Sequence, residues 1–173
     1  GLTLATASTT KNNFFYAGAT TTGTNLGTNN IAMGQYALQY ATSGTENLAF
    51  GDWAMSGVSG NGNTGSYNNA FGVLALNLNT SGSSNNAIGK WALRSNAIGS
   101  ENNALGRNAL FSNTSGSDNV GIGYNALLLN TTGSSNNSIG WNSLSNTTGA
   151  SSTALGPWAG QTNTTGNHNL YLG

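Results

Sequence analysis

Hydrophobic and polar positions along this chain recur in one short phrase. Toward Gly89 it reads Asn85, Asn86, Ala87, Ile88: polar, polar, small apolar, bulky apolar, glycine. With the closing glycine as position 0, position −4 is Asn30, Asn47, Asn68, Asn85, Asn102, Asn119, Asn136, Ser152 and Asn169. Position −2 is mostly alanine. Position −1 is always bulky and apolar: Met33, Phe50, Phe71, Ile88, Leu105, Ile122, Ile139, Leu155 and Leu172. Alanine at +3 and Leu or Met at +4 follow in most units, as in Ala92-Leu93. From −4 to −1 the pattern alternates, so it predicts a short strand with −1 and −3 on one face and −4 and −2 on the other.

The closing glycines Gly34, Gly51, Gly72, Gly89, Gly106, Gly123, Gly140, Gly156 and Gly173 stand 17, 21, 17, 17, 17, 17, 16 and 17 residues apart. A second glycine precedes each of them by seven residues. A unit this short fits one coil of a β-solenoid and no helical repeat. The expected fold is therefore all-β: a parallel β-roll or β-solenoid of about nine 17-residue coils over residues 18–173, after an N-terminal cap or linker at 1–17. Within that cap, Asn13–Gly18 reads as a degenerate first coil. Stacked coils about 4.8 Å apart would form a rod roughly 40 Å long, with the −4 asparagines hydrogen-bonding up and down a ladder. Four extra residues in the stretch 56–65 predict a loop leaving the rod. The Ala-Leu pairs run too soon into Gly or Asn-Thr to hold a stable helix.

Both faces of the predicted strand are apolar. The small Ala face is read as packing against partner chains, which gives a homotrimeric rod. The alternative is that the Ala column fills a narrow solenoid interior.

Composition narrows the function classes. Charged residues are 5% of the chain and the net charge is zero. Such a chain lacks the basic surface that neutralises a run of phosphates, so no nucleic-acid partner is expected. There is no cysteine, hence no disulfide framework or thiolate metal site. No apolar run approaches the ~20 residues of a membrane span. The four carboxylates are Glu46, Asp52, Glu101 and Asp118. Glu101 and Asp118 share the −5 column, and they read as exposed surface charges rather than a catalytic pair. A lone His168 makes no zinc site. Neither an enzyme nor a cofactor is expected.

The strongest binding signal is aromatic. Tyr36, Trp53, Trp91, Tyr124, Trp141 and Trp158 occupy positions +1 and +2. Pointing outward, they would form a broken stripe suited to stacking on sugar rings. Pointing inward, they would serve corner packing or a subunit interface. Lys90, Arg94 and Arg107 gather with Glu101 in two neighbouring coils as the one charged belt, fit either for an acidic sugar or for solubility and salt bridging. Neighbouring threonines of the Asn-Thr-Thr-Gly phrases point to opposite faces, so they would make one flat ice-binding column at most, and Asn63 and Ala97 take that place in the early coils.

The phrase Asn85-Asn-Ala-Ile-Gly-Lys-Trp-Ala92 resembles the head repeats of trimeric autotransporter adhesins of the YadA type. Residues 125–140 are similar also to repeats of bacteriophage tail fibres. The resemblance covers about residues 13–173 and is specific for the repeat class, not for a receptor. It implies a trimer of left-handed parallel β-rolls that meets a host surface. The expected role is thus a receptor-binding or shaft segment of a phage tail fibre. Its partners would be further copies of itself and a host-cell surface glycan or protein receptor. Its place would be the virion or the cell exterior. The alternatives are the head of a bacterial trimeric adhesin and the subunit of a self-assembling extracellular filament.

Overall fold

A computed structural model describes residues 12–16, 18–19 and 26–173. Ten three-residue strands run through it: β1 (Phe14–Tyr16), β2 (Ile31–Met33), β3 (Leu48–Phe50), β4 (Asn69–Phe71), β5 (Asn86–Ile88), β6 (Asn103–Leu105), β7 (Val120–Ile122), β8 (Asn137–Ile139), β9 (Thr153–Leu155) and β10 (Leu170–Leu172). They form one parallel sheet in chain order. The register is columnar, as in Ala70↔Ala87↔Ala104 and Phe71↔Ile88↔Leu105. The chain is therefore a β-solenoid of about nine turns, each strand occupying positions −3 to −1 of the repeat. No helix occurs among the described residues. The degenerate Asn13–Gly18 unit supplies the first strand. The rest of the expected cap, residues 1–11, lies outside the described residues.

Which face is inside differs from expectation. The −2 alanines, the +3 alanines and the +4 leucines fill the interior of the single chain: Ala87, Ala92 and Leu93 are fully buried, as are their counterparts in most coils. The Ala column is thus not a partner-packing surface. The bulky −1 residues point outward, with Ile88 45% and Leu155 53% exposed. The cause is the corner after each strand. Positions +2 and +4 both take left-handed backbone: Trp91 at φ 66° and Leu93 at φ 49°, repeated in coil after coil. This double reversal turns the +4 side chain under the sheet, against the −2 alanine. Left-handed backbone costs a residue with a side chain about 1–2 kcal/mol. Full burial of the +4 leucine contributes about 1.5–3 kcal/mol, which offsets much of the roughly 2–4 kcal/mol that the two positions cost together.

Small residues face the interior because adjacent coils are close. At Gly89, φ is 133° and an added Cβ would lie 2.7 Å from the carbonyl carbon of Gly106. At Gly82 a Cβ would meet the Gly99 oxygen at 2.3 Å. Interior substitutions come in compensating pairs. In the last coil Tyr171 replaces the −2 alanine, and the +4 leucine beneath it is replaced by Gly160, where a Cβ would be 2.5 Å from the Tyr171 ring. Ser138 and Ser143 replace the −2 and +3 alanines of one coil and hydrogen-bond each other through their buried hydroxyls.

Polar ladders lock the coils. Asn85 donates its backbone N–H to Asn68 Oδ1 at 3.0 Å and its side-chain NH2 to Gly99 O at 2.9 Å. The same bonding recurs from Asn30 to Asn119, and Asn136 keeps it with the shorter unit that follows. Ser152 interrupts the column, and Asn169 reaches it through a long bond of 3.4 Å to its hydroxyl. A second asparagine ladder, not anticipated from the sequence, runs through Asn79, Asn96, Asn113 and Asn130 at position +7. A third is made by serines: the Ser83 N–H donates to Ser100 Oγ, and Ser100 N–H to Ser117 Oγ. The inserted segment 56–65 leaves the rod as a turn closed by Asn61 N–H to Val58 O. It rejoins at Asn63, which pairs in parallel with Ala41.

Candidate functional site

Two surfaces stand out on the rod. The first is the open face of the sheet, where the −1 column (Phe71, Ile88, Leu105, Ile139, Leu155) is exposed along its length. Phe50 and Phe71 stack there in parallel planes at 5.1 Å. Beside them, in the −3 column, Asn69, Asn86 and Asn103 pass side-chain hydrogen bonds of 2.8 Å from coil to coil.

The second surface is the corner at +1 and +2, and it gathers the aromatic residues picked out from the sequence. All six are exposed or half-buried, so none belongs to the interior. They fall in two runs. Tyr36 and Trp53 meet at 4.4 Å between ring centroids. Tyr124, Trp141 and Trp158 form the other, at 6.5 and 4.5 Å. Trp91 would be isolated from that second run but for Arg107, whose guanidinium lies 5.3 Å from the Trp91 ring and 5.8 Å from Tyr124. Trp91, Arg107, Tyr124, Trp141 and Trp158 thereby make one continuous strip across five coils, roughly 20 Å at the interstrand spacing. The left-handed φ at +2 is what tips Trp91 and Trp158 outward (66° and 56°).

Of the charged belt read from the sequence, the three cations lie beside the aromatic corner and Glu101 does not. Lys90 Nζ sits 4.3 Å over Trp91, and the Arg94 guanidinium 5.6 Å from Phe111. Salt bridging does not explain them: among the described residues none of the three forms an ion pair. Leu74, Trp91, Arg94 and Phe111 line a shallow cleft of about 230 Å³. Leu74 and Phe111 were not singled out from the sequence: Leu74 is the one aliphatic residue in a +2 column of Tyr, Trp and Asn, and the +5 column of Phe111 carries a different residue type in almost every coil. Only the register, which sets Phe111 one coil from Arg94, reveals them.

Other candidates are placed apart. Glu101, Asp118 and His168 are exposed at position −5, at the far end of the strand from the aromatic corner. Among the described residues no three His, Cys, Asp or Glu side chains gather together. Among the described residues no helix is long and apolar enough to cross a membrane. The threonine column is engaged within the rod: the hydroxyls of Thr80, Thr114 and Thr148 donate to backbone carbonyls of the following coil.

Comparison with protein-family models, with curated proteins and with solved structures finds no match.

Proposed function

We propose that this chain is a non-enzymatic segment of an extracellular fibre of the phage tail-fibre kind, which assembles as a homotrimer and binds a host surface glycan. The observation that carries the reading is the aromatic strip from Trp91 to Trp158 on a rigid ladder. Indole and phenol rings offer large flat faces to sugar rings at little cost in side-chain entropy. The exposed −1 column supports self-association, since contiguous apolar patches on a folded chain mark protein contacts. Three copies packed about that face would bury it and leave the aromatic corners outside. A bacterial adhesin head would use the same two surfaces, and the gene context distinguishes the carriers. A self-assembling filament would use the apolar face without the strip.

The test is glycan-array binding of residues 1–173 and of the Trp141→Ala/Trp158→Ala double variant, with the mass of each measured by light scattering. The reading expects saccharide binding by the parent chain, at least a tenfold loss in the variant, and a threefold mass for both. Absence of binding to any glycan would sink the receptor role.

A further inference from the structure

We infer that the cleft between Leu74, Trp91, Arg94 and Phe111 is a subsite for a single acidic, carboxylate-bearing sugar residue. The inference rests on the glycan-binding reading above and names the class of glycan.

Four features of the cleft carry it. First, its size: about 230 Å³ is below the roughly 300–1,000 Å³ of pockets for drug-sized ligands, which leaves room for one ring of a chain lying along the rod. Second, its walls: Trp91 and Phe111, from neighbouring coils, both line it, so a ring entering there meets aromatic surface. Third, its polar group: Arg94 is half-buried, yet its guanidinium meets only the Phe111 ring, and among the described residues its N–H donors have no acceptor. A planar guanidinium fork matches the two oxygens of a carboxylate.

Fourth, the surrounding charge. Lys90 and Arg107 stand in the same +1 column one coil apart, both against Trp91. Their ammonium and guanidinium donors also lack a protein acceptor among the described residues. Three of the chain's four basic residues thus surround one tryptophan with no carboxylate among them. Like charges this close repel, and an anion relieves that repulsion. The acids Glu101 and Asp118 sit at the other end of the strand, and Asp52, two coils before Lys90 in the +1 column, accepts from the Gln35 N–H, so the cleft lining itself carries positive charge and no carboxylate.

The experiment is calorimetric titration of the full chain with 3′-sialyllactose and with tri-galacturonate, each against its uncharged counterpart, lactose and a neutral trisaccharide. The chain should prefer an acidic ligand by roughly tenfold or more, the worth of one charge-assisted contact. Arg94→Gln should abolish the preference with an unchanged melting curve. Arg94→Lys, a point charge without the fork, should restore only part of it. Asp118→Asn, away from the cleft, should keep it. Equal affinity for acidic and neutral ligands, with binding still lost in Trp141→Ala/Trp158→Ala, would overturn the acidic subsite and leave the glycan reading standing. Binding confined to sulfated chains such as heparin, weakened equally by Lys90→Gln, Arg94→Gln and Arg107→Gln, would overturn it as mere charge attraction. Failure to bind any saccharide would overturn both.

Discussion

Asn85 and Asn96 converge on one oxygen: the carbonyl of Gly99 accepts a side-chain N–H from each at 2.9 Å. The two asparagines come from different ladders, at positions −4 and +7, and both are fully buried. The same meeting recurs at Gly82, Gly116 and Gly133. A carbonyl oxygen has two lone pairs, and here both are filled. Removing one donor leaves the other in place, whereas removing both leaves a buried acceptor bare. Asn85→Ala and Asn96→Ala should each destabilise by about 1–3 kcal/mol. The double variant should lose more than the sum, by on the order of 1 kcal/mol. Denaturant melts of the four proteins measure the coupling, and strict additivity would contradict the shared-acceptor account.

The buried serine pair should behave in the opposite sense. Ser138 Oγ bonds both the hydroxyl and the carbonyl oxygen of Ser143. Either single change to alanine removes the hydroxyl pair but leaves the surviving serine one acceptor, the carbonyl of residue 143 for Ser138 or Gly140 O for Ser143, and should cost about 0.5–1.5 kcal/mol. Ser138→Ala/Ser143→Ala restores the alanines found in other coils and should be neutral or stabilising. A double variant less stable than both singles would show that the pair stabilises the rod outright.

Ile88 and Leu93 separate the coil from the assembly. Leu93 is fully buried and Ile88 nearly half exposed. Leu93→Ala should therefore cost about 2–5 kcal/mol of folding stability. Ile88→Asp should leave the coil folded, because its charge stays in water, and should reduce a threefold mass to that of a single chain. Circular dichroism and light scattering on the same samples test both halves. A parent chain that is already a single copy would remove the trimer from the proposal.

Thr147 interrupts the second asparagine ladder and leaves Asn130 Oδ1 buried without a donor. Thr147→Asn should supply that donor and raise stability by about 1 kcal/mol. Asn63, a buried asparagine at the same two-residue distance from its glycine (Gly65, as Thr147 from Gly149), shows room for the side chain, but its Nδ2 has no partner, so the gain depends on the new amide reaching Asn130 Oδ1. An unchanged or lower melting midpoint would show that the amide does not reach.

Much of this architecture is legible in the sequence because a solenoid makes spatial neighbours out of equal sequence spacings. The strands, their parallel register and the −4 ladder follow from the glycine and asparagine columns alone. The inside and the outside do not. Ala87 and Ile88 are both apolar, and hydrophobicity alone favours Ile88 for the core. The choice is made by left-handed corners at Trp91 and Leu93, residue types that rarely take that backbone. The aromatic corner was visible as a column, while Arg107 as its bridge and Phe111 as a cleft wall were not. Their neighbours lie one coil away, in columns whose chemistry changes from unit to unit.

The like-on-like contacts of the rod also bear on its heredity. Each coil touches mainly the coil above and the coil below, through nearly the same atoms. An in-frame duplication or loss of one unit would change the length of the object by a single step and present every surviving neighbour with a familiar partner. The 21- and 16-residue units show that even imperfect copies are absorbed. Such a molecule behaves as a ruler whose graduations can be added or removed by slippage in its gene, so reach can evolve separately from what the surface recognises.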